Sequence, residues 1–265
     1  MPVAETSATR VFYEDRGTGP ALLLVHGHPF DHTMWQPQID RFSRTHRVIA
    51  PDLRGYGDTP LGAMTASTDL GEFAEDLVGL LDELGIGQCV LAGLSMGGQI
   101  AMELYRRHPE RVRGLVLADT FPAAETEDGK RTRNAMADRL LRDGMRGYAD
   151  EVLDRMVAPY NTHAAPHVHR MMCATDPVAA AAALRGRAER PDYRETLAAA
   201  TVPALVVVGR DDTYTPVADA EDMHALLPDS TLVVVERAAH LPNLERPEEF
   251  DAALDAFLRS LVRPS

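Results

Sequence analysis

A serine on a tight turn, a histidine able to take its proton and a carboxylate able to steady that histidine can together break a carbonyl-centred bond. The serine is Ser95, in Gly93-Leu94-Ser95-Met96-Gly97. A free hydroxyl is a poor nucleophile and needs an adjacent base. The apolar segment before Ser95 reads as a strand and the segment after it as a helix, the setting in which a serine is held on a sharp, strained turn. Such a turn presses together the positions two before and two after the serine, and Gly93 and Gly97 are small enough to meet there. The plainer reading of Ser95, an ordinary helix N-cap, leaves the flanking glycines unexplained.

A tetrahedral intermediate carries a negative oxygen that needs donors already aimed at it. The backbone N–H of Met96, directly after the nucleophile, is one candidate. A second is the N–H of His28, in His26-Gly27-His28-Pro29-Phe30 after an earlier strand. The base is His240, in Glu236-Arg-Ala-Ala-His240-Leu-Pro-Asn-Leu-Glu245, where a loop after the last strand can reach across the carboxyl edge of a sheet. The acid must fix the tautomer of that histidine and stabilise the imidazolium as it forms. Asp211 and Asp212 follow a strand directly, Asp119 ends the preceding core strand, and physics alone leaves all three open. His163, His167 and His169 cluster in sequence, but they have neither strict spacing nor acidic partners, and no metal site is expected.

These residues must be positioned by elements, and the apolar pattern supplies them. Nearly continuous apolar runs at 21–26, 47–52, 88–94, 113–119, 204–209 and 231–236 read as strands covered on both faces. Helical patterns fall at 33–42, 69–84, 96–108, 217–227 and 247–261, with Asp69 and Glu72 spaced as a capping box. The alternation predicts an α/β fold: a mostly parallel twisted sheet with helices on both faces. Val11 to Glu14 adds an antiparallel edge strand. Between 121 and 200 no apolar strand appears. That stretch, which holds Met136, Met145, Met156, Met171 and Met172, reads as a helical cap inserted into a core of 1–120 and 201–265. Phe30, Phe121, Met145, Met156 and Tyr160 are candidates to line an apolar substrate pocket beneath it, although each serves equally well as packing within the cap.

The chain has 265 residues, 27 Lys+Arg against 40 Asp+Glu and a net charge of −13. So acidic a surface repels nucleic acid and anionic membranes, and neither is expected as a partner. Cys89 and Cys173 are the only cysteines, too few for a disulfide framework, which points to a reducing compartment. The first ten residues have no cationic-then-apolar leader, and the apolar runs are strand-sized, so the expectation is a soluble, cytoplasmic protein.

Taken together, His26-Gly27-His28-Pro29, Asp52-Leu-Arg-Gly-Tyr-Gly57, Gly93-Leu-Ser-Met-Gly-Gly98, Gly209-Arg-Asp-Asp212 with Pro216, and His240-Leu-Pro-Asn-Leu-Glu245 resemble the α/β-hydrolase superfamily over nearly the whole chain. In that family the acid usually stands three positions after the glycine, which implies Asp212. Within it, the elbow, Ala174-Thr-Asp-Pro177, Ala182-Ala-Leu184 and Arg190-Pro-Asp192 are similar to 3-oxoadipate enol-lactonase-like hydrolases. The serine argues against the haloalkane dehalogenases and epoxide hydrolases of the superfamily, which use Asp at the nucleophile position. The resemblance implies a cofactor-free serine hydrolase that cleaves an ester or lactone of a small, largely apolar molecule. C–C bond hydrolysis, perhydrolysis, or a ligand receptor on a nearly idle scaffold are the alternatives that the same three residues allow.

Overall fold

The apolar runs pair edge to edge into one eight-stranded sheet of order β1-β2-β4-β3-β5-β6-β7-β8. The computed structural model describes residues 2–5, 9–62 and 65–262. In chain order the elements before Ser95 are β1 (Val3–Glu5), β2 (Arg10–Arg16), β3 (Ala21–Val25), α1 (Gln36–Phe42), β4 (Arg47–Pro51), α2 (Leu70–Glu83) and β5 (Cys89–Leu94). Then follow α3 (Met96–Arg107), β6 (Val112–Ala118), α4 (Glu127–Asp143), α5 (Arg146–Met156), α6 (Ala165–Ala174), α7 (Pro177–Ala188) and α8 (Arg194–Ala198). The chain closes with β7 (Ala204–Gly209), α9 (Val217–Leu226), β8 (Ser230–Val235), α10 (Pro242–Glu245) and α11 (Pro247–Ser260).

From β4 to β8 every pairing is parallel, whereas β1 on β2 and β2 on β4 run antiparallel. The expected antiparallel strand is therefore β2, but it is not the edge. Val3–Glu5 pairs outside it, a strand of three residues whose pattern is too short to show a period. The expected helix at 33–42 also divides, into a 3₁₀ turn (His32–Trp35) capped by Asp31 and then α1, with Pro37 in its first turn.

Alternate residues of each strand enter different cores, as the pleat requires. Leu23, Val25, Leu91, Leu115, Leu117, Val206 and Val208 pack under α2, α3 and α9. Leu22, Leu24, Val90, Ala92, Val116, Leu205 and Val207 pack on the opposite face, with Trp35, Phe42, Phe250 and Leu254. The sheet is thus covered on both faces, which is why its strands read as unbroken apolar runs. The capping box at the start of α2 is formed: Glu72 N–H donates to Asp69 Oδ1 (2.8 Å), and Asp69 N–H donates to Glu72 Oε2 (2.9 Å).

Between β6 and β7 the regular elements among the described residues are all helices. Ala137 and Leu140 of α4 meet Ala180, Ala181 and Leu184 of α7 in a core of their own. Gly186 permits close approach of α7 to the segment ahead of α2: a Cβ there would lie 1.7 Å from the carbonyl oxygen of Thr68. Met156, Val168, Met171 and Met172 from α5 and α6 join the sheet's own core beside Trp35.

Candidate active site

Five consecutive parallel strands end at the same rim, and each delivers one polar residue there. His28 follows β3, Ser95 follows β5, Asp119 follows β6, Asp212 follows β7 and His240 follows β8. In open α/β sheets this carboxyl edge is where ligands bind.

Ser95 has φ 57° and ψ −117°, a backbone conformation that costs a non-glycine residue roughly 1–3 kcal/mol. The neighbouring glycines make the turn possible. A Cβ on Gly93 would lie 2.1 Å from the Gly97 oxygen, and one on Gly97 would lie 2.2 Å from the Val25 oxygen. The Ser95 carbonyl is held by the Thr120 hydroxyl at 2.8 Å. The side chain makes no cap hydrogen bond to α3, so the N-cap reading does not describe it. Instead, Ser95 Oγ lies 2.9 Å from His240 Nε2, and His240 Nδ1 lies 2.7 Å from Asp212 Oδ2.

Asp212 is buried, yet it accepts from Tyr214 N–H (2.7 Å), Thr215 N–H (3.2 Å), the Thr215 hydroxyl and His240. Burial alone raises its pKa. The charge and hydrogen bond of His240, with the Thr215 and Tyr214 donors, outweigh burial and hold the carboxyl below its ordinary range. An ionised Asp212 fixes the tautomer: Nδ1–H donates to the carboxylate, leaving Nε2 to accept the serine proton. Asp211 is exposed, and its Oδ2 accepts from the Tyr160 hydroxyl instead.

Asp119 is also present. One oxygen each of Asp119 and Asp212 and a ring nitrogen of His240 lie within 4.8 Å of one another. Asp119 Oδ1 accepts the Gly209 N–H at 2.9 Å. Burial and then the Asp212 charge push its pKa well above the usual carboxylate range. The two acids are therefore differentiated: the surroundings of Asp212 favour its charged form and those of Asp119 its protonated form.

The backbone N–H groups of Met96 and His28 have no hydrogen-bond partner among the described residues. The loop after β3 abuts Ser95: a Cβ on Gly27 would lie 3.2 Å from Ser95 Cβ. The His28 ring is buried, with Nδ1 2.8 Å from the Tyr56 hydroxyl and Nε2 unpartnered. Burial, then Arg187 and Arg133, push its pKa well below the usual imidazole range, so the ring is neutral.

Above Ser95 and His240 opens a cavity, lined also by His28, Gln99, Phe121, Arg133, Tyr148, Met156 and Arg187. Of the five expected lining residues, Phe121 and Met156 are there. Phe30 is not: it is 1 % exposed and packs in the sheet core. Met145 is not either, because it fills the α4–α7 core. Tyr160 is 48 % exposed, on the outer surface, with its ring under the Arg237 guanidinium. The lining is mixed rather than apolar, and its two arginines were not anticipated. Gln99 could have been: it stands four residues after Ser95 on the following helix, hence on the same face.

The three clustered histidines separate. His163 faces the Leu244 carbonyl, His167 faces Thr33 and His169 binds Asp150. Two groups of three potential metal ligands do converge among the described residues, Asp31-His32-Asp52 and Asp119-Asp212-His240. Short hydrogen bonds already engage both, His32 to Asp52 at 2.7 Å and His240 to Asp212 at 2.7 Å.

Residues 22–253 match the model of the alpha/beta hydrolase family. The chain is 30% identical to 3-oxoadipate enol-lactonase 1 of Acinetobacter baylyi, over 91% of this chain and 90% of that one. It is 30% identical to the pimeloyl-[acyl-carrier protein] methyl ester esterase of Aliivibrio salmonicida, over 95% and 97%. Among solved structures, a thermophilic esterase from Thermogutta terrifontis, malate bound, superposes with a TM-score of 0.95 at 35% identity, covering 99% of both chains. The enol-lactonase from Burkholderia xenovorans LB400 superposes with a TM-score of 0.89 at 26% identity, over 97% and 100%. The chain belongs to the alpha/beta hydrolase family. No helix among the described residues is long and apolar enough to cross a membrane.

Proposed function

We propose that this enzyme, a hydrolase acting on ester bonds, cleaves a carboxylic ester or lactone of a small molecule through an acyl-enzyme on Ser95. The observation that carries the reading is the unbroken relay from Ser95 Oγ to His240 Nε2 (2.9 Å) and from His240 Nδ1 to Asp212 (2.7 Å), beside a cavity. Ser95 Oγ attacks the carbonyl carbon as its proton passes to His240 Nε2. The Met96 and His28 N–H groups hold the resulting oxyanion, and Met96 opens α3, so the helix dipole favours negative charge there. Collapse breaks the ester C–O bond, and the alkoxide leaves with the proton from His240. A water then gives a proton to His240 and attacks the acyl carbon. The carboxylic acid departs and Ser95 Oγ recovers its proton.

In this reading, residues 121–200 form a cap that closes over the rim of a core made of 1–120 and 201–265. The two free thiols, Cys89 and Cys173, suit a reducing cytoplasm. Ser95→Ala is the direct test. It is expected to fold normally and to lose p-nitrophenyl acetate turnover by at least about 10⁴-fold, as when a nucleophile is removed from such a relay. Turnover within tenfold of the parent would overturn the assignment.

A further inference from the structure

Tyr214, in the loop after β7, stands where the leaving group of an ester must pass. It lines the cavity, and its ring centroid lies 5.3 Å from that of His240, with the two rings tilted by 58°. Its backbone N–H donates to Asp212 Oδ1 at 2.7 Å, so main chain and ring both belong to the turn that carries Asp212. The ring is half-buried, with buried His240 as one neighbour and exposed Arg155, near the end of α5, as another.

Arg155 holds that ring in place. Its guanidinium carbon lies 3.9 Å from the Tyr214 ring centroid, and its Nε donates to Thr213 Oγ1 at 3.3 Å. No carboxylate pairs with Arg155 among the described residues, so the aromatic face and the Thr213 hydroxyl are its anchors. The ring quadrupole draws a cation to that face. Met156, the next residue of α5, lines the same cavity. The contact thus joins two walls of the site, one from α5 and one from the loop after β7. An alkoxide that takes its proton from His240 Nε2 must bring its oxygen within roughly 3 Å of that nitrogen. The carbon bonded to that oxygen then lies against whatever stands beside His240. The alcohol part therefore meets Tyr214, while the acyl part stays on Ser95.

We propose that Tyr214, pinned by Arg155, forms the alcohol-side wall of the site and limits the leaving group to small alcohols. The assignment rests on the Ser95 reading and adds which end of the ester the loop after β7 selects. A ring held by Arg155 swings aside only by giving up that contact. Bulk on the alcohol therefore carries a cost at this wall that bulk on the acyl part does not.

The test keeps the acid and varies the alcohol, comparing kcat/KM for methyl, butyl and benzyl acetate. Methanol and benzyl alcohol are similarly acidic, so the methyl-to-benzyl ratio reads fit, and damage common to the series cancels in it. The parent is expected to prefer methyl acetate by about tenfold or more, as a surplus methylene costs in a filled pocket. Tyr214→Ala should move the ratio at least about tenfold towards benzyl. Tyr214→Phe should keep it near the parent's, because the ring and not the hydroxyl forms the wall. Arg155→Met should shift it a few-fold in the direction of Tyr214→Ala, the size of one exposed cation–π contact. A ratio unmoved by Tyr214→Ala would make the ring only a support for His240 and overturn the assignment. So would a parent indifferent to the alcohol. Should the variants not fold, acyl transfer by the parent decides. p-Nitrophenolate leaves without the His240 proton, so its acetate loads Ser95 despite its bulk. An added alcohol then gives its proton to His240 and attacks the acyl carbon, and Ser95 Oγ leaves with that proton, the reverse of acylation. At equal concentrations methanol should yield at least about tenfold more acetate ester than benzyl alcohol, and equal yields refute the wall. If p-nitrophenyl acetate is not turned over at all, the Ser95 reading falls and takes this one with it. If it is turned over and alcohol size has no effect, the Tyr214 assignment falls alone.

Discussion

At Asp212 four donors converge on one carboxylate, while Asp119, close by and equally buried, receives the Gly209 N–H on one oxygen. That difference in donors assigns the charge, and it makes the two acids separable by amide substitution. Asp212→Asn should reduce kcat by about 10⁴-fold, because the amide no longer fixes the imidazole tautomer. Asp119→Asn should stay within about tenfold of the parent, since an amide imitates a protonated acid that accepts from Gly209 and donates towards Asp212. The same burial gives a sign for stability. Asp119 keeps its proton in the native state well above the range in which the unfolded chain releases it. Parent stability therefore declines as pH rises from about 4 towards the folded-state value. Asp119→Asn lacks that decline, so its melting temperature should gain on the parent's between pH 4 and neutrality. A constant difference across this window would contradict the assignment of the proton to Asp119.

The elements act on the site through the loop that carries His240. Glu245, at the end of α10, is 1 % exposed. Its Oε1 accepts the N–H groups of Ala239 (2.8 Å) and Leu241 (3.2 Å), one on each side of His240. Its Oε2 accepts Ala158 N–H and Asn161 Nδ2, both at 2.8 Å, from the segment after α5. One carboxylate thus joins the His240 loop to the segment between α5 and α6. Burial raises its pKa, and these four donors work against that rise. Glu245→Gln leaves one acceptor where two stood and points an amide donor at two existing donors. We expect a loss of about 1–3 kcal/mol in stability and a fall in kcat larger than any change in KM, because the imidazole is misplaced rather than the cavity. Steady-state kinetics and thermal melts check this. Parent-like values in both would remove Glu245 as a positioning residue.

At the scale of the whole molecule, the insertion and the sheet share a core. Trp35, the single tryptophan, is fully buried among residues that include Met156, Val168 and Met172 of the insertion as well as Phe250 and Leu254 of α11. Thr175 ties the end of α6 to the Pro29 carbonyl at 3.0 Å, and Thr68 ties the approach to α2 to the Ala182 carbonyl of α7 at 3.0 Å. Elements that share buried contacts unfold together. Urea unfolding should therefore give coincident transitions by Trp35 fluorescence and by helical circular dichroism. A helical signal lost at lower urea than the tryptophan signal would show the insertion opening independently.

Local chemistry was legible from the residues alone. Unbroken apolar runs marked the strands because both faces of the sheet are covered, and glycines flanked Ser95 because the turn leaves no room for a Cβ. The loops after the strands offered His28, Asp119, Asp212 and His240 as candidates for one rim. Sequence did not place β1, whose three residues carry too little pattern, nor choose among packed side chains in the insertion. Phe30, Met145 and Tyr160 look as suitable for a pocket as Phe121 and Met156, and only packing sends the first two into cores and the third to the surface. Arg185 and Arg187 are two apart on one alanine-rich helix. Helix rotation turns the first outward to Asp138 and the second inward to Gln99. Spacing along a chain fixes which side chains share a face, but which face meets the cavity depends on contacts between distant segments, and that was settled only in three dimensions.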